Sequence, residues 1–208
     1  MPKISEVQRQ ARRDQILAAT WRCFVRRGIH ATSMDEIIRD AELSAGAVYL
    51  YYKSKDELIL AAISTYMGNL RASLLPILTK EDALPPLALI REITSAIAGF
   101  TKRSGIDLNA VILMCWSEAQ TNEEVKGRIS DFQLKYRAAL TQIAMQWLER
   151  KDLKSQVRPD EIAKALLSFF LGFIVQSALL GPVAPKTIVR GMQGLLAGFD
   201  SIGSHGCT

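Results

Sequence analysis

The chain has 208 residues, and 49% of them are hydrophobic, so it can bury a sizeable core and disorder of the whole chain is not expected. Its formal net charge is +5 and its sequence pI is about 9.2, which suits a polyanionic partner without demonstrating one. Cys23, Cys115 and Cys207 are odd in number and widely spaced, which argues against a disulfide framework and a C-x-x-C metal site. We therefore expect a reducing, cytoplasmic environment.

Basic residues concentrate at the front of the chain. The first 30 positions hold seven lysines and arginines against Glu6 and Asp14, a net charge of +5, and the remainder sums to zero. No apolar signal-peptide core follows this charged segment, so export is not expected. The most apolar run, residues 165 to 180, falls short of the roughly 20 apolar residues that span a bilayer. We interpret it as a buried helix and expect no membrane partner.

The first predicted helix covers residues 7 to 27 and ends at Gly28, a typical C-terminal residue of helices. Its less polar positions recur every three or four residues, which indicates a single buried face. The members of this face are Ile16, Ala19, Thr20, Cys23 and Phe24.

Two short helices joined by a tight turn are predicted next. Ser33 precedes Glu36 by three residues, the spacing of a capping box, and predicts a second helix that runs to about Ala41. Ser44 can cap a third helix that runs to about Tyr51. A helix, a four-residue turn and a helix have the spacing of a helix-turn-helix.

The rest of the chain also has helical periodicity. Ser54 and Glu57 form another capping-box pattern that opens a fourth helix, and prolines or Asn122 introduce most of the later ones. These later helices are expected over residues 86–104, 107–120, 123–149, 160–180 and 185–201. No strict alternation indicates a strand, so we predict an all-α fold of about nine helices.

Side chains suited to catalysis are scarce. His30 and His205 are the only histidines, and neither lies near a nucleophile motif or in a metal-ligand spacing. The sequence also lacks a glycine-rich phosphate loop. We therefore predict no enzyme activity, no metal and no cofactor.

Side chains that can bind DNA phosphates cluster in the sequence around the two predicted helix caps. Phosphates are contacted by cations, hydroxyls and helix N-termini. The candidate phosphate contacts are Thr32, Ser33, Ser44, Tyr49, Tyr51, Lys53 and Lys55. The small residues Ala45, Gly46 and Ala47 would let the third helix approach the floor of a groove, which Ser44 would also reach.

The stretch from Thr32 to Leu58 resembles the DNA-binding domain of the tetracycline-repressor (TetR) family. Its matching positions are Thr32, Ser33, Ile37, Ala41, Ser44, Gly46, Tyr49, Tyr52, Lys55 and Leu58. Three positions depart from the family pattern: Glu42 replaces the turn glycine, Ile38 replaces a small alanine, and Tyr51 replaces a histidine. If the turn needs a positive φ angle, Glu42 is strained there.

This resemblance implies an N-terminal three-helix DNA-binding domain over residues 1–54. A larger helical ligand-binding and dimerisation domain over 55–203 and a tail over 204–208 would follow. It further implies a homodimer that places two third helices about 34 Å apart on a near-palindromic double-stranded DNA operator. A small apolar or amphipathic effector would bind between C-terminal helices and release a repressor from DNA.

Large or polarizable side chains are candidates for binding the effector, and apolar side chains and glycines of the last two helices are candidates for the dimer interface. For the ligand we expect Tyr66, Met67, Met114, Trp116, Phe169 and Phe173. The predicted helix over residues 160–180 is apolar on almost every side, so we expect a second subunit to cover it. Close packing against another backbone would explain the glycines of the last helix. For the dimer interface we expect Phe170, Ile174, Gly191, Gly194, Leu195 and Gly198.

Two other classes of protein stay open at this point. A helical ligand-binding dimer that has lost DNA affinity would share the same C-terminal half, and Glu42 is the best argument for it. An enzyme of unusual helical type would need a cofactor site that the sequence does not reveal.

Overall fold

The computed structural model describes residues 5–103, 108–153 and 156–202, and the surroundings of the side chains at 101–103, 108–110 and 196–202 are left aside. Over these ranges the chain is helical without strands, which confirms the predicted all-α fold. The helices are α1 (Glu6–Arg27), α2 (Met34–Asp40), α3 (Ala45–Tyr49), α4 (Lys55–Leu78), α5 (Pro86–Arg103), α6 (Leu108–Glu118), α7 (Glu123–Glu149), α8 (Pro159–Leu179) and α9 (Pro185–Ile202). The predicted tail, with His205 and Cys207, lies outside the described residues.

Local capping chemistry sets several helix boundaries. Ser33 forms both halves of its capping box with Glu36, and the Asn122 side chain accepts a hydrogen bond from the Val125 amide at 3.1 Å. The third helix is shorter than predicted, because the Tyr51 amide bonds the Val48 carbonyl in a tighter i to i−3 turn. The boundary predictions are thus confirmed to within about two residues at most ends.

The chain forms two compact units that alternate along the sequence. The first unit comprises Met1–Asn69 and Ser104–Asp131, and the second comprises Leu70–Arg103 and Phe132–Thr208. Helices α4 and α7 therefore contribute residues to both units. The predicted domain boundary after residue 54 falls at the start of α4 and stays a prediction.

In the first unit, α1 packs on α2 and on α6. All five residues of the predicted face of α1 are buried, so that prediction is confirmed. The Trp21 ring meets Phe24 and Tyr66 edge-on, with centroid distances of 5.9 and 6.2 Å. These aromatic contacts join α1 to α4 around a single apolar core.

In the second unit, α5 packs on α8 and α9. Trp147 of α7 is almost fully buried, and its indole N–H donates to the Leu84 carbonyl at 2.7 Å. The Tyr136 ring stacks near Phe132 at 6.4 Å and meets Phe170 edge-on at 6.4 Å. This unit therefore has an aromatic-rich interior.

Helix α8 is only partly covered within one chain, so its predicted burial would need the second subunit and stays a prediction. Its exposed positions recur every three or four residues along one side: Ala165, Ser168, Gly172, Gln176 and Leu179. Helices α4 and α8 are long and apolar enough to cross a bilayer by length and composition alone, which is weak evidence because core helices meet the same criterion.

Candidate nucleic-acid interface

Helices α2 and α3, with the turn between them, form the helix-turn-helix. The Ser33 hydroxyl accepts a hydrogen bond from the Glu36 amide at 3.3 Å, and the Ser44 hydroxyl accepts one from the Ala47 amide at 3.3 Å. Each cap satisfies a free N–H group at a helix start, where anions are also favoured. Ser33 and Ser44, both predicted phosphate contacts, are exposed at these helix starts.

The turn is built around Glu42, whose φ angle is +55°. The turn therefore does have a left-handed residue at this position, the condition under which Glu42 was expected to be strained. A hydrogen bond from the Gln15 side chain to the Ala41 carbonyl, 2.8 Å long, ties the turn to α1. The turn keeps the helix-turn-helix geometry despite the missing glycine.

The outer face of α3 combines small residues with one aromatic ring. Ser44, Ala45, Gly46 and Tyr49 are exposed, Ala47 is half-buried, and Val48 and Tyr52 are buried. The prediction that Tyr52 points inward is thereby confirmed. A Cβ atom on Gly46 would meet nothing within 4 Å, so this face is open to a close approach by DNA.

One exposed residue on this face escaped the sequence analysis. Leu50 directly follows α3 and is 66% exposed. An apolar side chain there could contact a thymine methyl group in a major groove. Its position next to Tyr49, within the predicted range of the third helix, was the available signal.

Thr32 lies inside the fold rather than on the surface. It is buried, and its hydroxyl donates to the Gly28 carbonyl at 2.8 Å and lies 3.3 Å from the Cys23 carbonyl. Because this buried hydroxyl already lies within hydrogen-bond distance of two carbonyls, it is poorly placed to bind a phosphate. Thr32 instead fixes the loop between α1 and α2, from which exposed Ser33 is presented.

Three basic or phenolic candidates lie around the start of α4. Lys53 is exposed, and Tyr51 and Lys55 are half-buried. The Lys55 ammonium donates to the His30 carbonyl at 2.9 Å, and an ammonium has three donors, so two protons are available to a phosphate. This contact anchors Lys55 beside the α1–α2 loop.

The same loop meets α6 through an unusual pair. The His30 imidazole is 78% exposed, yet its Nε2 atom lies 3.5 Å from the Oε2 atom of Glu118, whose side chain is only 7% exposed. That buried oxygen has no hydrogen-bond partner among the residues that the structure describes. Sequence analysis missed the pair because nothing local links a loop histidine to a carboxylate so far along the chain.

Ion pairs join α1 to α2. Asp40 accepts hydrogen bonds from Arg22 at 2.7 Å and from Arg26 at 2.6 Å, and Arg27 pairs with Glu36. Burial raises the pKa of the Asp40 carboxyl, but the two arginines outweigh it and hold that pKa below its ordinary value. The pKa of Glu36 is also lowered, first by the Ser33 amide and then by Arg27.

The residues predicted to bind a ligand are divided between the two units. Tyr66, Met67, Met114 and Trp116 belong to the first unit, and Phe169 and Phe173 belong to the second. Tyr66 and Phe173 are buried, and the other four are half-buried. Their role in binding a ligand stays a prediction. No cluster of histidine, cysteine and acidic side chains that could hold a metal occurs within the described ranges.

The residues predicted at a dimer interface fall into two groups. Phe170 and Ile174 are already buried by their own chain, so they offer little surface to a second subunit. Gly191, Gly194 and Leu195 of α9 are exposed, and a Cβ atom on either glycine would meet nothing within 4 Å. Gly198 lies in α9, but its surroundings are outside the described residues.

Two family models match most of the chain. Residues 16–62 match the bacterial regulatory proteins of the tetR family, and residues 87–198, more than half of the chain, match the C-terminal part of BetI-type transcriptional repressors. The first match contains the helix-turn-helix and the start of α4.

Individual proteins agree with these models. The regulator BetI of Rhizobium meliloti is 31% identical over 129 residues, which is 61% of this chain and 60% of that protein. The activator FasR of Mycolicibacterium smegmatis is 41% identical over 66 residues, 32% of this chain, and the chain covers only 30% of its length.

A solved structure supports the fold independently. AibR, determined in complex with isovaleryl coenzyme A and operator DNA, has a TM-score of 0.66 and 22% identity over 88% of this chain and 97% of its own. Identity at this level shows the fold alone. The helix-turn-helix geometry and the two family models together establish that the chain belongs to the TetR family of DNA-binding transcriptional regulators, with a BetI-type C-terminal part.

Proposed function

We propose that this regulator is a cytoplasmic homodimeric repressor, released from a near-palindromic operator by an apolar or amphipathic effector. The match to BetI-type repressors supports repression, whereas the partial match to FasR, which is named an activator, supports the opposite role. A promoter–reporter assay with and without the regulator separates the two, since a repressor lowers basal expression.

The exposed apolar surface of α8 and α9 supports a homodimer. Leu179, Leu180 and Leu195 are 67%, 81% and 58% exposed, and from Ala165 to Leu179 the exposed positions of α8 carry no charge. Large contiguous apolar surfaces on soluble proteins mark interaction sites. A second copy of the same surface would bury these leucines and bring two helix-turn-helix elements to one operator.

Tyr136 is the single observation that best supports an effector site. Its hydroxyl is buried among aromatic rings and has no hydrogen-bond partner within the part of the chain that the structure describes. Burial raises the pKa of this phenol above its ordinary value, so it is a neutral donor. An orphaned buried hydroxyl costs about 1–3 kcal/mol unless a partner arrives, and an effector with an apolar body and one acceptor group would supply it.

Helix α6 offers a route from an effector to DNA. It carries Met114 and Trp116, two of the predicted ligand contacts, and also Glu118, which lies against His30 in the loop that presents Ser33. The same loop is bonded by Lys55 at the start of α4. A displacement of α6 would therefore reach the predicted phosphate contacts directly, provided that the effector prefers one arrangement over the other.

The effector class is tested with acyl thioesters, because the AibR structure contains isovaleryl coenzyme A. Isovaleryl coenzyme A and a long-chain acyl coenzyme A are titrated into the protein, with free coenzyme A as the control. We expect an acyl compound to raise the melting temperature and to release DNA, and Tyr136→Phe to weaken its binding about tenfold without lowering stability.

Tight, selective binding of a small, highly charged metabolite, with no response to any amphipathic compound, would contradict the proposed effector class. An unchanged affinity in Tyr136→Phe would place the effector elsewhere while leaving that class intact.

The alternative of a ligand-binding dimer without useful DNA affinity is supported only by the strain at Glu42. A salt-dependent titration with the protein's own promoter region separates the two, because phosphate-driven binding weakens steeply with salt. Footprints of two half-sites about one helical turn apart are expected for the operator-binding dimer.

A further inference from the structure

The first turns of α1 extend beyond the core. We call Ser5–Asp14 the N-terminal arm. Every residue of the arm is exposed, whereas one face of α1 is buried from Ile16 onward. The arm stays helical through its own polar contacts: the Ser5 hydroxyl and the Gln8 side chain form a capping box, and Gln10 donates to Asp14 at 2.9 Å. A helical extension without a core partner in the described chain has no packing role.

The arm directs its positive charge to a defined side of α1. Arg9 and Arg13 lie seven residues before Ile16 and Thr20, and side chains two turns apart share a face of a helix. These arginines therefore continue the side by which α1 packs on its neighbours. Arg12 lies on the flank of the same side.

That side adjoins the helix-turn-helix. Gln15, the residue after the arm, donates to the Ala41 carbonyl at the turn. Tyr52 lies beyond the other end of α3, and burial raises the pKa of its phenol above the ordinary value. The charge of Arg13 opposes this shift and the charge of Asp14 adds to it. Because Gln15 is bonded to the turn and the arm directly precedes it on the same helix, the arm begins next to the helix-turn-helix.

Two arginines of the arm are not neutralised by a carboxylate among the described residues. Arg9 forms no ion pair with any residue that the structure describes, and Arg12 donates only to the neutral side chain of Gln15, at 2.8 Å. Arg13 is already near Glu6, at 3.9 Å. An arginine in such a position is suited to phosphate, which it can bind through two parallel N–H groups.

We propose that the N-terminal arm is an additional DNA-backbone contact surface, in which Arg9 and Arg12 bind phosphates beyond those reached by the helix-turn-helix. The inference rests on DNA binding by the family and assigns it to residues outside the matched segment, which begins at residue 16.

The test compares two double variants with the same loss of charge. Arg9→Gln/Arg12→Gln removes the proposed contacts, and Arg91→Gln/Lys135→Gln removes two exposed cations of the second unit. Binding to a mixed-sequence duplex of about 40 base pairs is measured between about 50 and 200 mM salt. Glutamine retains helix propensity at these exposed sites, so folding is preserved, which circular dichroism verifies.

We expect the slope of log affinity against log salt to become shallower by about 1.8 per chain in the arm variant and to stay unchanged in the control. The loss should be equal on promoter DNA, because phosphate contacts carry no base specificity. Equal slopes for wild type and the arm variant would overturn the inference while DNA binding itself stands. The same outcome is expected if the arm contacts an acidic protein instead.

Discussion

The helix-turn-helix and the α8–α9 surface are both open to a partner, but their chemistry differs. Around α3, the exposed side chains are small or carry hydroxyls except for Leu50, and Lys53 and Lys55 lie close by. On α8 and α9, the exposed apolar and small residues are Leu179, Leu195, Ala165, Ser168 and several glycines, and charged side chains such as Lys164 and Arg190 are exposed near the start of each helix. Glycines with open space in front of them occur in both regions, at Gly46 and at Gly172. The first region is suited to a polyanionic groove and the second to an apolar helix.

The strongest way to test this contrast is to place a charge on the α8 surface. Gly172→Arg introduces a guanidinium where the proposed second subunit packs, so we expect the dimer to dissociate with a dissociation constant raised about 100-fold or more. Gly127→Arg, at an exposed glycine of α7, is the matched control. Both changes raise helix propensity. Sedimentation velocity reports the oligomeric state, and a dimer that persists in Gly172→Arg would refute the proposed interface.

On the DNA side, removing Lys55 and Tyr49 should have the next largest effect. Lys55→Ala with Tyr49→Ala removes the half-buried ammonium and the exposed phenol that we assign to phosphate, and we expect DNA affinity to fall about 30-fold. Lys126→Ala, on exposed α7, should leave it unchanged. Electrophoretic shifts with promoter DNA measure both. If the double variant still bound as wild type does, the assignment of these two residues to DNA would be wrong.

The ion pairs between α1 and α2 should make the helix-turn-helix side acid-sensitive. Because the folded-state pKa of Asp40 lies below its unfolded value, its contribution is present above about pH 4 and is lost as pH falls through the folded pKa. Asp40→Asn should cost about 1–2 kcal/mol of unfolding free energy at neutral pH and less in acid. Denaturant unfolding at several pH values measures this, with exposed Asp82→Asn as the control. A pH-independent cost would show that the arginines do not act through the charge of Asp40.

The smallest effect is expected at the strained turn. Glu42→Gly relieves a left-handed residue but gives the unfolded chain more freedom, so we expect a net gain of up to about 1 kcal/mol. Lys151, in the second unit, also has a positive φ, at +62°, and Lys151→Gly should behave alike. Thermal unfolding measures both gains. A loss of stability at Glu42 alone would mean that its side chain makes a contact worth more than the strain.

Local features of this chain were predictable, and contacts across the fold were not. The caps at Ser33, Ser44 and Asn122 depend on residues within three positions, so sequence spacing was sufficient. Thr32 was assigned to phosphate because it carries a hydroxyl beside a predicted helix cap, and the family pattern agreed. Its burial depends on carbonyls of α1 and the following loop, which spacing does not reveal.

The same distinction holds for charge and for apolar helices. The residues next to Asp40 in the sequence do not indicate that it pairs with two arginines of α1. Those next to Glu118 do not indicate that it lies beside His30. In α8, the composition predicted burial but could not divide the helix into an inner and an outer side. Phe170 and Ile174 were therefore assigned to an interface although their own chain buries them.

The interrupted sequence of the first unit limits how such regulators can be recombined. The helix-turn-helix is often pictured as a cassette that could be transplanted by joining two genes at one point. Here α6 and the start of α7 complete the unit that holds it, and α6 supplies the carboxylate beside the α1–α2 loop. A chimera that exchanges residues 1–54 alone would place the α1–α2 loop of another protein beside Glu118. A functional hybrid therefore needs compatible residues at positions 30 and 118.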